Sequence, residues 1–176
     1  MENLVRSGKV RFIGISNFDA YQVSTLQINA TIKPAVHQFE LHPYLQQSDY
    51  VDWHQALGIS VTAYSPLASA NPTYGHRLGG PPSLFDNEEI TTIAERRGCT
   101  NAQVALAWGM ARETSVIPKS QHAERIVENW ESRRCNLQKV DLQLIAAVGK
   151  KYLTRFNNPS KGWDVPLYEG LDDSRI

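Results

Sequence analysis

A short segment near residue 120 combines basic side chains with the predicted start of a helix. Lys119, Ser120 and Arg125 surround the first turn of that helix. A basic residue there is electrostatically unfavourable, because the free backbone N–H groups already form the positive end of the helix dipole. A bound anion would remove this conflict, and an arginine can hold a phosphate through two parallel hydrogen bonds. The segment therefore predicts a phosphate site, the alternative being that Arg125 pairs with Glu124 or Glu128 on a solvated helix face.

A second set of polar side chains lies along one predicted strand. Gln38, Glu40 and His42 alternate with Phe39 and Leu41, so the three polar groups share one face of the strand. A strand of a covered parallel sheet is buried on both faces, so these groups need hydrogen-bond partners or a ligand. Glu40 and His42 are candidates for a general acid and base, and the alternative is a satisfied structural network beneath a pocket.

Two tyrosines and three histidines complete the set of residues that carry chemistry. Tyr64 can stack on a planar ligand ring or be an ordinary half-buried strand aromatic, and Tyr44 and Tyr64 are both candidate catalytic groups. His54, His76 and His122 lack metal-ligand spacing. The sequence therefore predicts no metal site and assigns these histidines no role.

The overall composition bears on the class of protein and its partners. The chain has 176 residues, with 18 Lys+Arg balanced by 18 Asp+Glu, so its net charge does not attract nucleic acid or an anionic membrane. Hydrophobic residues make up 41%, which is typical of a globular protein with a core. The sequence shows neither a membrane-spanning apolar run nor a signal-peptide core, so a cytoplasmic protein is expected. Cys99 and Cys135 lack the spacing of a zinc site or a disulfide framework, and both are predicted to be free thiols.

Four β-branched runs, each followed by helical periodicity, predict the elements that position these residues. The strands are predicted at residues 10–15, 35–41, 60–64 and 115–117, and the helices at 20–28, 49–57, 86–97, 100–112, 120–130 and 140–151. Helix caps are predicted at one of Ser16, Asn17 and Asp19, then at Ser48, Thr100 and Ser120, and Gly58 and Gly98 are predicted helix stops.

Alternating strands and helices predict an α/β fold with a parallel sheet and right-handed crossovers. Four βα units are half of a (β/α)₈ barrel, which typically takes roughly 250 residues. We expect residues 1–155 to form this half-barrel and residues 156–176 to form an irregular C-terminal tail.

Four motifs follow one another at the predicted strand ends. They are GISNF at residues 14–18, QFELHPY at 38–44, AYSPL at 63–67, and IPKS at 117–120 followed by ERIVEN at 124–129. In order and spacing they closely resemble the aldo-keto reductase family of NADP(H)-dependent carbonyl reductases. The resemblance implies a (β/α)₈ barrel of which this chain holds strands five to eight.

The resemblance also implies cofactor-binding roles. It matches Ser16, Asn17 and Gln38 to the nicotinamide carboxamide and Tyr64 to the nicotinamide ring. The residues that match the pyrophosphate loop are Ser65, Leu67 and Ser69. The residues that match the site for the adenosine 2′-phosphate and adenine are Lys119, Ser120, Arg125, Glu128 and Asn129. Two positions depart from the family pattern, with His37 where Asn is common and Asn71 where an acidic residue is common.

The family's catalytic Tyr, Lys, Asp and His come from the half of the barrel without a counterpart here. The resemblance implies an NADP(H)-binding oxidoreductase of carbonyl or alcohol substrates, with no ordinary reductase activity expected of this chain alone. Two alternatives are a non-redox enzyme (an isomerase, cyclase or lyase) and a non-catalytic nucleotide-binding protein. The first would work through Glu40, His42, Tyr44 or Tyr64.

A half-barrel leaves two edge strands and an inner face, expected to bear Val36 and Val61, without cover. We expect a homodimer of two halves, or a different partner that supplies strands one to four. The competing cover is the long loop at residues 66–82 together with the C-terminal tail.

Overall fold

The computed structural model describes residues 1–68 and 80–158. The predicted pyrophosphate residue Ser69, the loop residue Asn71 and most of the predicted tail lie outside the described residues.

Four parallel strands form a single sheet in the order of the chain. They are β1 (Gly14–Ser16), β2 (Val36–Glu40), β3 (Ser60–Tyr64) and β4 (Ser115–Val116). The predicted α/β fold with four βα units is confirmed, and this strand order is that of half a (β/α)₈ barrel. The two edge strands β1 and β4 are shorter than predicted, because each has a neighbouring strand on one side only.

Helices follow each strand. The described helices are α1 (Glu2–Arg6), α2 (Ala20–Asn29), α3 (Ser48–Ala56), α4 (Glu88–Arg97), α5 (Asn101–Ala111), α6 (Ala123–Glu131) and α7 (Lys139–Lys151). The short helix α1 was not predicted by hydrophobic periodicity, and a salt bridge between Glu2 and Arg6 at 2.6 Å spans it. Within residues 1–68 and 80–158, none of the helices has the length and apolar character needed to cross a membrane.

Local side-chain chemistry sets several of the helix ends. Asp19 forms a capping box with Gln22, and Thr100 forms one with Gln103, so the first backbone N–H groups of α2 and α5 are satisfied. Gly98 ends α4 in the left-handed conformation at φ 64°. The three predicted boundaries are confirmed because each depends on residues within one helical turn.

Two predicted caps are wrong. Ser48 is the first residue of α3 and not its cap, which is Gln47 in the left-handed conformation at φ 41°. Ser120 lies before the cap of α6, where its Oγ accepts a hydrogen bond from the backbone N–H of His122 at 3.1 Å. The cap itself is His122, which makes no side-chain capping bond. The α6 N-terminus therefore keeps free N–H groups.

The two faces of the sheet differ in polarity. Phe39, Val61 and Ala63 point outwards into the hydrophobic core that the helices cover. The register pairs Val36 with Ser60 and His37 with Val61, so Val36 and Val61 lie on opposite faces. The expectation that both line the inner face is therefore wrong. The inner face is mainly polar, with the side chains of Ser16, Gln38, Glu40, Thr62 and Tyr64.

The prediction of two free thiols is also wrong. Cys99 and Cys135 form a disulfide, with their Cα atoms 5.9 Å apart. Cys99 precedes α5, and Cys135 follows the 3₁₀ turn Ser132–Arg134 that packs against α5. The packing of α5 against this turn brings together two cysteines whose spacing along the chain carries no such signal.

Candidate functional site

The carboxyl ends of β1, β2 and β3 place several predicted site residues on one edge of the sheet. Ser16 lies opposite Gln38, and Tyr64 lies opposite Glu40, in the strand register. Ser16 is exposed, whereas Gln38 and Tyr64 are half-buried. All of these side chains are on the inner face of the sheet. A flat ligand lying over this edge would therefore contact Ser16, Gln38 and Tyr64.

Asn17 follows β1 and carries an acceptor suited to a ligand. Its backbone adopts the left-handed conformation at φ 57°, and its N–H donates to the carbonyl of Gln38 at 3.0 Å. The side-chain Oδ1 is buried and has no hydrogen-bond partner in the described part of the chain. Since a buried acceptor without a partner is costly, this atom fits a ligand N–H group such as that of a carboxamide.

The loop after β1 is anchored by residues for which sequence reasoning found no role. Phe18 donates its backbone N–H to His37 Nε2 at 3.1 Å and accepts from the hydroxyl of Tyr50 at 2.7 Å. His37 in turn contacts His54 on α3. One feature of the sequence could have indicated this anchoring role. His37 is next to Gln38 in β2, so its side chain must lie on the opposite, outer face of the sheet, towards the helices.

Glu40 and His42 are brought together by β2 and the turn after it. His42 Nε2 donates to the Glu40 carboxylate at 2.9 Å, and the backbone N–H groups of Phe156 and Asn157 each donate to it at 2.8 Å. Burial acts to raise the pKa of Glu40, but the hydrogen bond and charge of His42 with the two N–H groups bring it below its usual value. Glu40 and His42 are both 0% exposed, which fits the structural alternative, while His42 Nδ1 has no hydrogen-bond partner among the described residues.

Tyr44, like Glu40 and His42, is inaccessible to a ligand. Tyr44 is fully buried and donates its hydroxyl to the carbonyl of Pro82 at 3.1 Å. Burial raises the pKa of Tyr44 to about 12.

The segment after β3 holds the described part of the predicted pyrophosphate loop. Ser65 adopts the left-handed conformation at φ 48°, and its Oγ accepts a hydrogen bond from Nδ2 of Asn157 at 3.1 Å. Leu67 packs against the hydrophobic core. Asn157 was not identified from the sequence, because its contact with Ser65 joins positions far apart along the chain.

The start of α6 keeps the features predicted for an anion site. Lys119 and Arg125 are exposed, and neither forms an ion pair within the described part of the chain. The alternative pairing of Arg125 with Glu124 or Glu128 is not what the structure shows, since Glu124 lies instead 3.6 Å from His122. The free N–H groups at this helix start and two cations without partners suit a phosphate.

The remaining predicted residues of this region lie on the same helix. Glu128 and Asn129 are half-buried on α6. The backbone carbonyl of Glu128 accepts from Nε2 of Gln103 at 3.1 Å, and that of Asn129 accepts from Oγ of Ser132 at 2.6 Å. These bonds connect α6 to the start of α5 and to the 3₁₀ turn that follows α6.

Comparison with known proteins identifies relatives over nearly the whole chain. The model of the aldo/keto reductase family matches residues 1–150. An uncharacterised oxidoreductase of Schizosaccharomyces pombe is 41% identical over 99% of this chain and 53% of its own length. An NAD(P)H-dependent D-xylose reductase of Candida tropicalis is 39% identical over 96% of this chain and 52% of its own length. The chain therefore spans about half the length of the curated relatives that it matches.

Solved structures agree with these sequence matches. An aldose reductase from Giardia lamblia superposes with a TM-score of 0.83 at 34% identity, over 96% of this chain and 54% of its own. An aldo-keto reductase from Bombyx mori, crystallised in complex with NADP, superposes with a TM-score of 0.85 at 31% identity, over 96% and 53%. By the family match, the identity to these relatives and the shared fold, this chain belongs to the aldo/keto reductase family.

Proposed function

We propose that this chain is the NADP(H)-binding half of an oxidoreductase that interconverts small carbonyl compounds and alcohols. The observation that carries the proposal is the start of α6, where Lys119 and Arg125 have no ion-pair partner within residues 1–68 and 80–158 and flank uncapped backbone N–H groups. A 2′-phosphate there would accept charge-assisted hydrogen bonds from both side chains. The Bombyx mori relative in complex with NADP supports the same assignment.

The polar inner edge of the sheet supports a nicotinamide site. Asn17 offers the carboxamide a buried acceptor that has no partner among the residues described, and Ser16 and Gln38 lie opposite each other beside it. Tyr64 occupies the next strand, where its ring can pack against the nicotinamide. When bound, NADPH supplies the hydride for carbonyl reduction. The residues of this chain orient the ring and exclude water from one of its faces.

Of the four candidate catalytic groups, only Tyr64 is accessible among the described residues, and the proposed cofactor site uses its ring to pack against the nicotinamide. Glu40, His42 and Tyr44 are 0% exposed and hydrogen-bonded, so we infer that they stabilise the fold. A positioned general acid contributes roughly 10²–10⁴-fold in rate. We therefore expect NADPH binding without ordinary carbonyl turnover by the 176-residue chain alone, and the reaction requires residues from a complementary half.

A fluorescence titration of the purified chain with NADPH and NADH tests the cofactor assignment. Each charge-assisted hydrogen bond to phosphate is worth roughly 1.5–3 kcal/mol, so Arg125→Ala should weaken NADPH binding by about tenfold or more. NADH binding should change little, because it lacks the 2′-phosphate. Arg134→Ala is the matched control, since it removes the same charge in the 3₁₀ turn after α6, where Arg134 pairs with Glu131.

The outcomes separate the functional classes. Equal losses for both cofactors in Arg125→Ala would overturn the phosphate assignment, and absence of NADPH binding to the unaltered chain would overturn the proposed function. Conversion of a substrate without consumption of cofactor would favour the non-redox alternative. Binding without turnover, even with a complementary half present, would favour a nucleotide-binding protein.

A further inference from the structure

Four residues behind the β1–α2 loop form a closed hydrogen-bonded circuit. His54 Nδ1 lies 2.7 Å from the carbonyl oxygen of Tyr50, and His37 Nδ1 lies 2.7 Å from His54 Nε2. The backbone N–H of Phe18 donates to His37 Nε2 at 3.1 Å. The hydroxyl of Tyr50 donates to the carbonyl of Phe18 at 2.7 Å, which closes the circuit. His37 and His54 are both fully buried.

The chemistry of the circuit permits one arrangement of protons. A carbonyl oxygen can only accept, so His54 must carry its proton on Nδ1 and accept at Nε2. His37 Nδ1 must therefore donate to His54, which leaves His37 Nε2 as the acceptor for Phe18 N–H. An additional proton on either ring would force a hydrogen onto His37 Nε2, opposite the N–H of Phe18. The circuit is thus complete only with both imidazoles neutral and protonated on Nδ1.

The circuit fixes the backbone next to the candidate nicotinamide site. Phe18 is held at both its N–H and its carbonyl, and it directly follows Asn17. Asn17 is in the left-handed region at φ 57°, and its own N–H is bound to the Gln38 carbonyl at 3.0 Å. The peptide that carries the Asn17 side chain is therefore held on both sides, with the unpartnered Oδ1 buried at the site.

We propose that His37, held in one tautomer by His54, is a positioning residue that presents Asn17 Oδ1 to the carboxamide of NADP(H). This inference rests on the proposed function, because it assumes that Asn17 receives the carboxamide N–H. His37 touches neither cofactor nor substrate and acts through the Phe18 amide.

Three probes and one pair of variants test the proposal in the 176-residue chain. The probes are NADPH, the analogue 3-acetylpyridine adenine dinucleotide phosphate in reduced form, and adenosine 2′,5′-bisphosphate. The analogue has a methyl group where the carboxamide has its NH₂ donor, and the bisphosphate lacks the nicotinamide half altogether. The variants are His37→Phe, which cannot accept from Phe18 N–H, and His37→Asn, which restores an acceptor with a side-chain oxygen.

The loss of affinity in His37→Phe should be confined to the probe that carries a carboxamide. His37→Phe should weaken NADPH binding by about tenfold, the value of one well-placed hydrogen bond. The acetylpyridine analogue and adenosine 2′,5′-bisphosphate should bind His37→Phe and the unaltered chain within about twofold. His37→Asn should recover part of the loss for NADPH. An equal loss for all three probes would indicate a merely structural role and overturn the proposal.

A measurement on the unaltered chain does not depend on how the variants fold. Long-range ¹H–¹⁵N correlation spectra of the histidines at pH 7.5 should show both His37 and His54 protonated on Nδ1. A proton on Nε2 of His37 would overturn the proposal. If the unaltered chain bound neither NADPH nor adenosine 2′,5′-bisphosphate, the proposed function would fail. Binding of both, with His37→Phe indistinguishable on NADPH, would remove the positioning role alone.

Discussion

The buried imidazoles of His37 and His54 make the stability of this protein sensitive to acid. Burial and the neighbouring His54 lower the pKa of His37 from 6.5 to about 3, and burial also lowers the pKa of His54. As the pH falls below about 6.5 the unfolded chain takes up a proton at each histidine, whereas folded His37 stays neutral until about pH 3. The free energy of unfolding should therefore fall over this range.

The contribution of His37 to this loss of stability can be measured by comparing the unaltered chain with a variant that lacks the imidazole. Each such histidine contributes up to about 1.4 kcal/mol per pH unit to the decrease. Urea unfolding of the unaltered chain and of His37→Phe between pH 7.5 and pH 5 should give a shallower slope for the variant, because the carboxylates titrate alike in both. Parallel slopes would contradict the assignment of a neutral buried His37.

At the scale of elements, the end of β2 anchors the chain that follows α7. The Glu40 carboxylate accepts the backbone N–H groups of Phe156 and Asn157. Glu40→Gln replaces an acceptor oxygen with an NH₂ donor that faces other donors, so the free energy of unfolding should fall by about 1–3 kcal/mol. Glu95→Gln, on the exposed surface of α4, is the control and should have almost no effect.

Limited proteolysis should locate that loss. The peptide bonds near Asn157 should be cleaved faster in Glu40→Gln than in the unaltered chain, because local opening there no longer breaks two hydrogen bonds to a carboxylate. Identical stability and cleavage in the two proteins would show that the anchor contributes nothing.

The disulfide between Cys99 and Cys135 links the segment before α5 to the turn after α6. It closes a loop across a sequence separation of 36 residues, for which the loss of chain entropy in the unfolded state predicts about 2–4 kcal/mol of stabilisation. Reduction should lower the urea midpoint accordingly. The Cys99→Ser, Cys135→Ser double variant should show the lower midpoint with or without reductant.

A thiol count gives the direct check. The unreduced chain in denaturant should show no reactive thiol, because both of its cysteines are in the disulfide. Two titratable thiols before reduction would contradict the disulfide and support the sequence-based prediction of two free thiols.

At the scale of the whole molecule, the helices that follow the two edge strands along the chain carry exposed apolar side chains. Tyr21 and Ile28 on α2, the helix after β1, are 80% and 82% exposed. The large apolar residues exposed on α6, the helix after β4, are Ile126, Val127 and Trp130. The chain spans about half of its relatives, so a second copy offers the matching number of βα units. We therefore expect a homodimer in which the two edges of each copy are covered by the other.

Size-exclusion chromatography with light scattering tests this expectation. A mass of about 40 kDa, twice the 19.8 kDa chain, is expected, and Ile28→Glu should shift it towards the monomer. Leu153→Glu places the same charge at an exposed leucine beyond α7 and should leave the mass unchanged. A cooperatively unfolding species of about 20 kDa would contradict the homodimer and favour cover by the loop and tail.

The order of the βα units could be predicted from the amino-acid sequence, because that order follows from local features. Strand burial repeats every two residues, and the caps Asp19 and Thr100 and the stop Gly98 act within one helical turn. The motifs at the strand ends indicated the family for the same reason, since each is a short segment read at a fixed place in a βα unit. The features that place Lys119 and Arg125 at the start of α6 are also local.

The contacts between distant segments depend on the tertiary structure and could not be predicted from the sequence. Cys99 meets Cys135 because α5 packs against the turn after α6, and His37 meets His54 because α3 covers the outer face of β2. The strand register, which depends on the neighbouring strand, placed Val61 in the outer core. Each of these contacts depends on how whole elements pack, and the spacing of residues along the chain does not encode that packing in any local pattern.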